Sequence, residues 1–265
     1  MDNKLNIDLK LDSSIQNSLS STSIKLTKDC NSSFCAYNFD LPSASVNLAT
    51  ANIISGKKNL HLDKVSGLQI FTTTSGAITS FVIYTAGVPS NARHEDAMAY
   101  FYQQVQNLNA AGWQRYIFPD EARIPGAEAS KFPDLNEVLG NPVATGPWKD
   151  PNLKLTKQNW ISMRIFNTWM FFNGNEYLSL GVQREKSEAD PQNRGSYLFT
   201  WTFKSESEFY ADFVGAEDRN RWKELLPAEL SRMAKERQKT EAQLKKMGIK
   251  IDENYKDAKP PVEAG

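Results

Sequence analysis

Alternating apolar and polar positions predict short β-strands in the first half of the chain. Tyr37, Phe39 and Leu41 are separated by polar residues, as in a strand with one buried face, and Pro42 ends the run. Further runs rich in β-branched and aromatic residues predict a β-meander over 60–62, 67–74 and 77–84. The first half is therefore expected to contain an antiparallel sheet.

The next segment has the period of an amphipathic helix. After a turn and helix-cap signal at 89–91, apolar residues recur at three- and four-residue spacing from Met98 to Leu108. Gly112 stands where a left-handed C-cap would end the helix, and 113–118 has the composition of a strand. We expect the apolar stripe of this helix to pack on the sheet.

The second half has the same order of strands followed by a helix. Asn173-Gly174 lies between two apolar runs and predicts a hairpin, because this dipeptide favours the type I′ turn that matches strand twist. From Asp218 to Met247 the apolar spacing is helical, with Pro227 as a kink or restart. Gly248 is the expected stop.

One strand of the second half, 196–204, carries aromatic side chains on one face only. They could form a stacking platform for bases or sugars. We interpret them as core, because the opposite face is more tolerant of solvent and the chain has no basic excess. The aromatic row is Tyr197, Phe199, Trp201 and Phe203, and the opposite face is Leu198, Thr200 and Thr202.

These patterns predict an α+β protein of two lobes, each an antiparallel sheet with a long amphipathic helix packed on it. The apolar residues of the first 29 positions follow no sustained period, which is typical of a flexible segment. A connection rich in Pro, Gly and Asn separates the lobes. The predicted divisions are a flexible N-terminal lead, 1–29; an N-terminal lobe, 30–132; an interlobe connection, 133–159; a C-terminal lobe, 160–255; and a disordered tail, 256–265.

Charge and hydropathy narrow the classes of partner. Among 265 residues, 31 are basic and 31 acidic, so the formal net charge is zero. A neutral chain does not favour nucleic acid or an anionic membrane surface. No apolar run approaches the roughly 20 residues that a membrane span needs. We therefore expect neither nucleic acid nor a membrane span.

The cysteines and the first residues bear on the compartment. Cys30 and Cys35 have no matching histidines with which to complete a zinc site. Their spacing agrees with a local disulfide, which fits an oxidising compartment, or with two free thiols in the cytosol. The first ten residues lack the apolar core of an export signal, but a mature chain that had lost a leader would have the same sequence.

No familiar catalytic motif occurs in the sequence. It has no Gly-x-Ser-x-Gly elbow, no phosphate-binding Gly-rich loop that opens a helix and no dinucleotide fingerprint. Asp120 and Glu121 are candidates for a glycosidase-like carboxylate pair, but adjacent residues seldom converge on one bond. We predict no catalytic residue, no metal and no cofactor.

A charged loop in the middle of the chain is the candidate binding element. It follows Pro119 and contains Pro125-Gly126, which fix the direction of the backbone. Its charged side chains suit the recognition of a partner, or they form the internal salt bridges of an anchored surface connection. The predicted partner-binding residues are Asp120, Glu121, Arg123, Glu128 and, in the interlobe connection, Trp148.

Two groups of residues carry a family resemblance. The first is Tyr37 followed by Asp40-Leu41-Pro42, and the second runs from Gly112-Trp113 through Arg123-Ile-Pro-Gly126 to 222–227 and 248–255. They resemble immunity proteins that neutralise lipase or phospholipase effectors of bacterial type VI secretion systems. That family has a cysteine and a Gly-Arg pair before the aromatic residue. Here Cys35 and Ala36 replace the pair, and Cys30 lies upstream of the usual cysteine.

The resemblance implies a two-domain periplasmic protein that clamps a cognate lipase effector by protein contact and has no activity of its own. A membrane tether is expected only if a leader has been removed, and a cytoplasmic location is the alternative. A second function stays open: a cell-envelope module that binds or hydrolyses carbohydrate or lipid in a concave pocket lined by tryptophans. A third is a structural domain of a secretion apparatus.

Overall fold

The computed structural model describes residues 5–42, 47–56 and 58–262. The elements of the first half are β1 Asn6–Leu9, α1 Ile15–Ser21, β2 Thr27–Cys30, β3 Phe34–Asp40, β4 Ala49–Ile53, β5 Leu60–Thr73, β6 Ile78–Thr85, β7 Ala92–Arg93, α2 His94–Ala110 and β8 Gln114–Arg115. Those of the second half are β9 Glu137–Val138, β10 Asn141–Pro142, α3 Lys157–Ser162, β11 Phe166–Asn173, β12 Glu176–Lys186, β13 Arg194–Ser205, α4 Glu206–Tyr210 and α5 Trp222–Lys246.

Eleven of the described strands form one sheet, whose main path is β1-β4-β5-β6-β13-β12-β11-β8. Strand β3 pairs with the second half of β5 and with β2, and β7 pairs with the start of β13. Strands β1 and β4 are parallel, whereas the other neighbours along the path are antiparallel. Strands β9 and β10 form a separate hairpin.

The pairing of β6 with β13 joins the two halves of the chain. It sets Phe81 opposite Phe203, and the two rings stack with their centroids 4.8 Å apart. The α+β class predicted from the sequence is confirmed. The strands expected in two separate sheets lie in one sheet, because the aromatic row of β13 is buried in a core to which both halves contribute.

Helix α2 covers one face of this sheet. The aromatic row predicted to be core is buried on that face, with Phe199, Trp201 and Phe203 at 0% exposure. Phe101 of α2 places its ring 4.4 Å from that of Trp169 in β11. The predicted helix and its stop are confirmed, since α2 ends at Ala110 and Gly112 has the left-handed φ of +95°.

The last helices of the chain cover one end of the opposite face of the sheet. We call α4, α5 and the turns between them, 206–246, the C-terminal cap. Tyr177 of β12 stacks on Phe209 of α4 with a centroid distance of 3.8 Å, and Leu226 and Leu230 of α5 belong to the same hydrophobic cluster. The long C-terminal helix predicted from the apolar spacing is confirmed, and it runs through Pro227 without a break.

The predicted hairpin in the second half is confirmed, with its turn shifted by one residue. Asn173 pairs with Glu176, so the two-residue loop is Gly174-Asn175. Gly174 has a φ of +60°, whereas Asn175 is not among the residues with positive φ. A positive φ at the first loop position alone is typical of a type II′ turn, whereas the predicted type I′ turn needs it at both positions.

The prediction of a flexible lead over 1–29 is wrong for the described part. Strand β1 pairs with β4, and its Ile7 and Leu9 are fully buried. Two inward apolar residues before the chain turns into α1 are too few to establish a period in the sequence. Residues 1–4 lie outside the described residues.

The prediction of a disordered tail over 256–265 is wrong for its first residues. Both carboxylate oxygens of Asp257 accept hydrogen bonds of 2.8 Å from Nη1 of Arg237, and Ala258 is buried against the C-terminal cap. One ion pair and one alanine leave no pattern that a sequence can signal. Residues 263–265 lie outside the described residues.

Cys30 and Cys35 form a disulfide that closes the β2–β3 hairpin. Of the two states that the sequence left open, the structure contains the bonded one. The disulfide ties β2, whose four residues are exposed, to a strand of the main sheet. The bond is the form expected in an oxidising compartment.

We predict that the whole chain unfolds in one transition, because both halves share the core around β6 and β13. Phe203→Ala should lower the free energy of unfolding by about 3–5 kcal/mol, since it removes a fully buried ring. The neighbour Thr202 lies on the opposite face, so Thr202→Ala serves as the control, with a loss of about 1 kcal/mol or less. Calorimetry should give one peak for each variant; two peaks, only one of them shifted by Phe203→Ala, would contradict the shared core.

Candidate functional site

The charged loop predicted to bind a partner faces the C-terminal cap. The guanidinium of Arg123 bonds both carboxylate oxygens of Glu241 in α5, at 2.8 and 2.7 Å, and the backbone N–H of Arg123 donates to the same group at 3.0 Å. Glu241 is 6% exposed. Burial raises its pKa, but the bonds from Arg123 outweigh burial and leave the pKa below its usual range. Arg123 therefore fastens the loop to α5.

Two more acids of the loop bond the protein's own backbone. The carboxylate of Glu121 accepts hydrogen bonds from the backbone N–H groups of Ala144 and Thr145 and from the Thr145 hydroxyl. Burial raises the pKa of Glu121 despite these bonds. Glu128 accepts from Lys131 Nζ at 2.5 Å and from the backbone N–H of Lys250 at 3.1 Å, and the bond from Lys131 is the main cause of its lowered pKa.

The remaining two predicted residues are partly exposed. Asp120 lies at the start of the loop, and burial raises its pKa. The Trp148 indole N–H donates to the carbonyl of Phe132 at 3.0 Å. The structure thus brings the loop and the interlobe connection together, as an anchored connection with internal salt bridges would require. Of the five predicted residues, Glu128 is buried and the other four are partly exposed.

Residues of the second resemblance group occupy structural positions. The backbone N–H of Gly126 donates to Asp150 Oδ2 at 2.8 Å, and an added Cβ at Gly126 would lie 2.8 Å from that of Leu153. Asp150 also pairs with Arg115, which donates to the carbonyl of Thr145 at 2.7 Å. A glycine is therefore needed where the loop approaches the interlobe connection.

Lys149 is a buried cation in that connection. It is 6% exposed, its Nζ donates to Asn167 Oδ1 at 2.7 Å and lies 5.2 Å from the centre of the Trp169 ring. Burial, together with the smaller effect of the charge of Arg164, lowers the pKa of Lys149 to about 7. Its hydrogen-bond acceptor is a neutral amide, so proton loss at this position breaks no ion pair with Asn167.

The sheet face opposite α2 is covered only in part by the C-terminal cap, and we call its uncovered part the open face. Residues that are paired in register point to the same side of a sheet, so the strand pairing tells which residues belong to the open face. The open face consists of Phe34, Ala36 and Asn38 of β3; Gln69 and Phe71 of β5; Val82 and Tyr84 of β6; Leu198, Thr200 and Thr202 of β13; Ser179 and Gln183 of β12; and Phe166 and Thr168 of β11.

These members of the open face are uncharged, and each is partly exposed or exposed. By the same register, charged residues at its margins also point to this side of the sheet, namely Asp29, Asp40, Glu185 and Lys204. The Asp40 carboxylate lies over Gly67 beside Tyr84. Phe166 is 55% exposed, yet its ring lies over Gly181, where an added Cβ would be 3.1 Å from the ring. The face therefore combines hydroxyl, amide and apolar side chains on rigid strands.

Part of this face was visible in the sequence. The alternation in 196–204 assigned Leu198, Thr200 and Thr202 to the solvent-tolerant side, and the structure confirms that assignment. Sequence reasoning did not link them to Val82 and Phe71, because the link depends on which strands pair. Alternating burial in β5 and β6 is the corresponding local signal.

An apolar pocket of about 300 Å³ opens where the open face meets the C-terminal cap, and we call it the socket. Met170, Ser179 and Thr202 line it from the sheet, and Phe118, Phe209 and Phe213 line its other side. By contrast, the cavity between Trp160 and Trp169 measures about 10 Å³, room for a single water molecule. The concave tryptophan-lined pocket expected of a carbohydrate module is therefore not formed at these two tryptophans.

Two searches of the described residues bear on cofactor and membrane. No group of three or more His, Cys, Asp or Glu side chains in 5–42, 47–56 and 58–262 is placed to hold a metal ion. Within the same part of the chain, no helix is long and apolar enough to cross a membrane.

No protein-family model, curated protein or solved structure matches the chain. The resemblance to immunity proteins, and the functions considered with it, therefore remain predictions.

We predict that the Arg123–Glu241 pair contributes to stability. Arg123→Met should lower the free energy of unfolding by about 2 kcal/mol, because it leaves a buried carboxylate without its partner, although residual solvent access at Arg123 moderates the loss. Arg232→Met is the matched control, since Arg232 pairs with Glu229 and Glu236 on an exposed face of α5. Denaturant titration measures both losses. Equal losses would show that the loop is not fastened through Arg123.

We predict a stability profile that depends on the Lys149 proton. Between pH 7 and about 10 the unfolded chain holds this proton and the folded chain does not, so the free energy of unfolding rises with pH by up to about 1.4 kcal/mol per unit. Below pH 7 both states hold the proton and the term is constant. Lys149→Met should remove this rise, whereas Lys235→Met, on exposed α5, should keep it. Parallel curves for wild type and Lys149→Met would contradict the assignment.

Proposed function

We propose that this chain is an immunity protein that binds and inhibits a bacterial lipase or phospholipase effector of a type VI secretion system. It acts by occluding the effector through protein contact and catalyses no reaction. The observation that carries the proposal is the open face, a partly apolar surface on rigid strands whose charged residues lie at its margins. Its chemistry is that of an interface core, where charged residues are depleted and aromatic residues are enriched.

The size of the open face supports a protein as the partner. It crosses six strands, β3, β5, β6, β13, β12 and β11. With strands about 4.8 Å apart and residues about 3.3 Å apart, this corresponds to roughly 25 by 20 Å. A standard interface buries about 800 Å² on each partner. The projected area of the face supplies the greater part of that footprint, and its side chains add accessible surface.

The rigidity of the face supports tight binding. Its side chains stand on strands whose other face is the main core, so little conformational entropy is lost when a partner orders them. Phe166 is held over Gly181 before any partner arrives. Arg123, Glu121 and Glu128 bond within the chain, so we assign the recognition role to the open face and keep Asp120 and Trp148 as further candidates.

The proposed location is the periplasm. The Cys30–Cys35 disulfide supports an oxidising compartment over the cytosol. The family that residues 37–42 and 112–132 resemble acts there against incoming effectors.

The alternative, a cell-envelope module for carbohydrate or lipid, relied on exposed tryptophans. Trp113, Trp169 and Trp201 are fully buried, and Trp148 is bonded to the Phe132 carbonyl. These side chains contribute to the core, so the alternative loses the feature that suggested it. The socket is the one observation that speaks for a small apolar ligand.

We predict stoichiometric inhibition of a lipase effector. Titration of the wild-type chain into its cognate lipase effector, to be sought first in the neighbouring reading frames, should abolish ester hydrolysis at a ratio of one to one. The chain alone should turn over no ester. Hydrolysis by the chain itself, removed by one side-chain change, would contradict the proposal.

The open face should be the surface that inhibits. Thr200→Arg places a charge at its centre and should weaken inhibition roughly 100-fold, because the interface would bury an unpaired charge. Gln238→Arg makes the same change of charge on an exposed position of α5 and should leave inhibition unchanged. Thermal melting of both variants checks that they are folded. Equal inhibition by the two variants would place the interface elsewhere.

A further inference from the structure

The socket is continuous with the open face. Met170, Ser179 and Thr202 pair in register across β11, β12 and β13, and Thr202 pairs with Val82 of β6. One row of side chains therefore leads from the socket to the middle of the face. A partner that covers the face also covers the mouth of the socket.

The volume of the socket fits one large side chain. The socket measures about 300 Å³. This volume is at the lower limit for small-molecule sites, which run from about 300 to 1,000 Å³. A cavity of about 150 Å³ holds benzene, so the socket has room for the largest aromatic side chain or for a long aliphatic one.

The walls of the socket are suited to an apolar guest. The rings of Phe118, Phe209 and Phe213 lie with their centroids 5.3 to 6.2 Å apart and at different tilts. They present both ring faces and ring edges, the two surfaces that aromatic groups prefer in offset and edge-to-face contacts. Met170 completes the lining with a flexible thioether, which adapts to varied apolar shapes.

Two charged residues, Lys204 and Asp212, also line the socket, and their ion pair disfavours an anionic guest. Lys204 pairs with Asp212, and Arg219 pairs with Asp212 and Glu208. Two cations and two anions compensate one another. A carboxylate or phosphate would have to replace an existing ion pair, whereas a neutral apolar group leaves all of them intact.

We propose that the socket receives a single large apolar side chain, aromatic or long aliphatic, which the partner protein presents when it covers the open face. This inference rests on the proposed function and gives it an anchor point. Energy in protein interfaces is concentrated in a few such anchors, which fill desolvated pockets near the centre of the contact.

The first experiment tests the socket without the partner. Toluene, p-cresol and indole, the analogues of Phe, Tyr and Trp side chains, are titrated into the full chain labelled with ¹³C at its methionine methyl groups. The Met170 methyl signal should shift and saturate, while that of exposed Met247 should stay in place. Ser179→Phe fills the socket and should abolish the shift, whereas Gln238→Phe, on exposed α5, should preserve it. Thr202→Met is a smaller filling variant for use if Ser179→Phe fails to fold.

The second experiment uses the same variants against the cognate lipase effector. Ser179→Phe should weaken binding at least tenfold, and Gln238→Phe should bind as wild type does. No Met170 shift with any analogue overturns the inference and leaves the proposed function standing. A Met170 shift with unchanged lipase binding by Ser179→Phe also overturns it, and identifies a small-ligand site.

Two further outcomes separate the inference from the function. If the wild-type chain does not bind the lipase at all, the proposed function is wrong. The inference that a side chain of the lipase occupies the socket is then wrong as well. If sedimentation shows that the wild-type chain self-associates and Ser179→Phe abolishes this, the occupant is a second copy, and the inference is overturned.

Discussion

The structure depends on the backbone pairing of β6 with β13. Without it the two halves of the chain would be separate sheets, each with too little apolar surface to surround Phe81, Phe203 and Trp113. With it, one continuous sheet buries a single aromatic core beneath α2. The same pairing places the outward residues of both halves side by side, so the open face exists only because the sheet is continuous. The hydrophobic core and the candidate binding surface therefore lie on the two faces of the same sheet.

The second constraint is the set of buried and partly buried arginines that hold the C-terminal cap and the central loop. Arg237 is 8% exposed and donates to the carbonyls of Glu121 and Phe118 at 2.9 and 2.7 Å as well as to Asp257. Together with Arg123 and Arg115 it bonds polar groups of a loop that has little regular secondary structure, although the buried Nε of Arg115 has no hydrogen-bond partner. The charged residues of the central loop, which the sequence suggested as a recognition element, therefore hold the C-terminal cap in place. The position of the cap determines how much of the sheet stays uncovered.

Local sequence patterns predicted the secondary-structure elements, because these depend on residues that are close together in the chain. The spacing from Met98 to Leu108 gave α2, and the alternation in 196–204 gave both faces of β13, because each period is a property of one element. The pairing of β6 with β13 joins residues more than 100 positions apart and leaves no local mark. Arg123 and Glu241 are also far apart in the sequence, and their ion pair leaves no local pattern. The sequence therefore could not show whether the charged loop is free to bind a partner or is fastened to the rest of the protein. The N-terminal segment was predicted to be flexible because β1 has only Ile7 and Leu9 as inward-facing apolar residues, which are too few to establish a period.

The central claim is that the open face is the surface a partner protein covers. Hydroxyl-radical footprinting with mass spectrometry, of the chain alone and in complex with the lipase, tests it most directly, because two methionines serve as matched reporters. Met170 lies at the junction of the open face and the socket, and Met247 lies 60% exposed at the end of α5. The account predicts that the complex protects Met170 and Tyr84 from oxidation and leaves Met247 unchanged. Protection of Met247 with no change at Met170 and Tyr84 would contradict it.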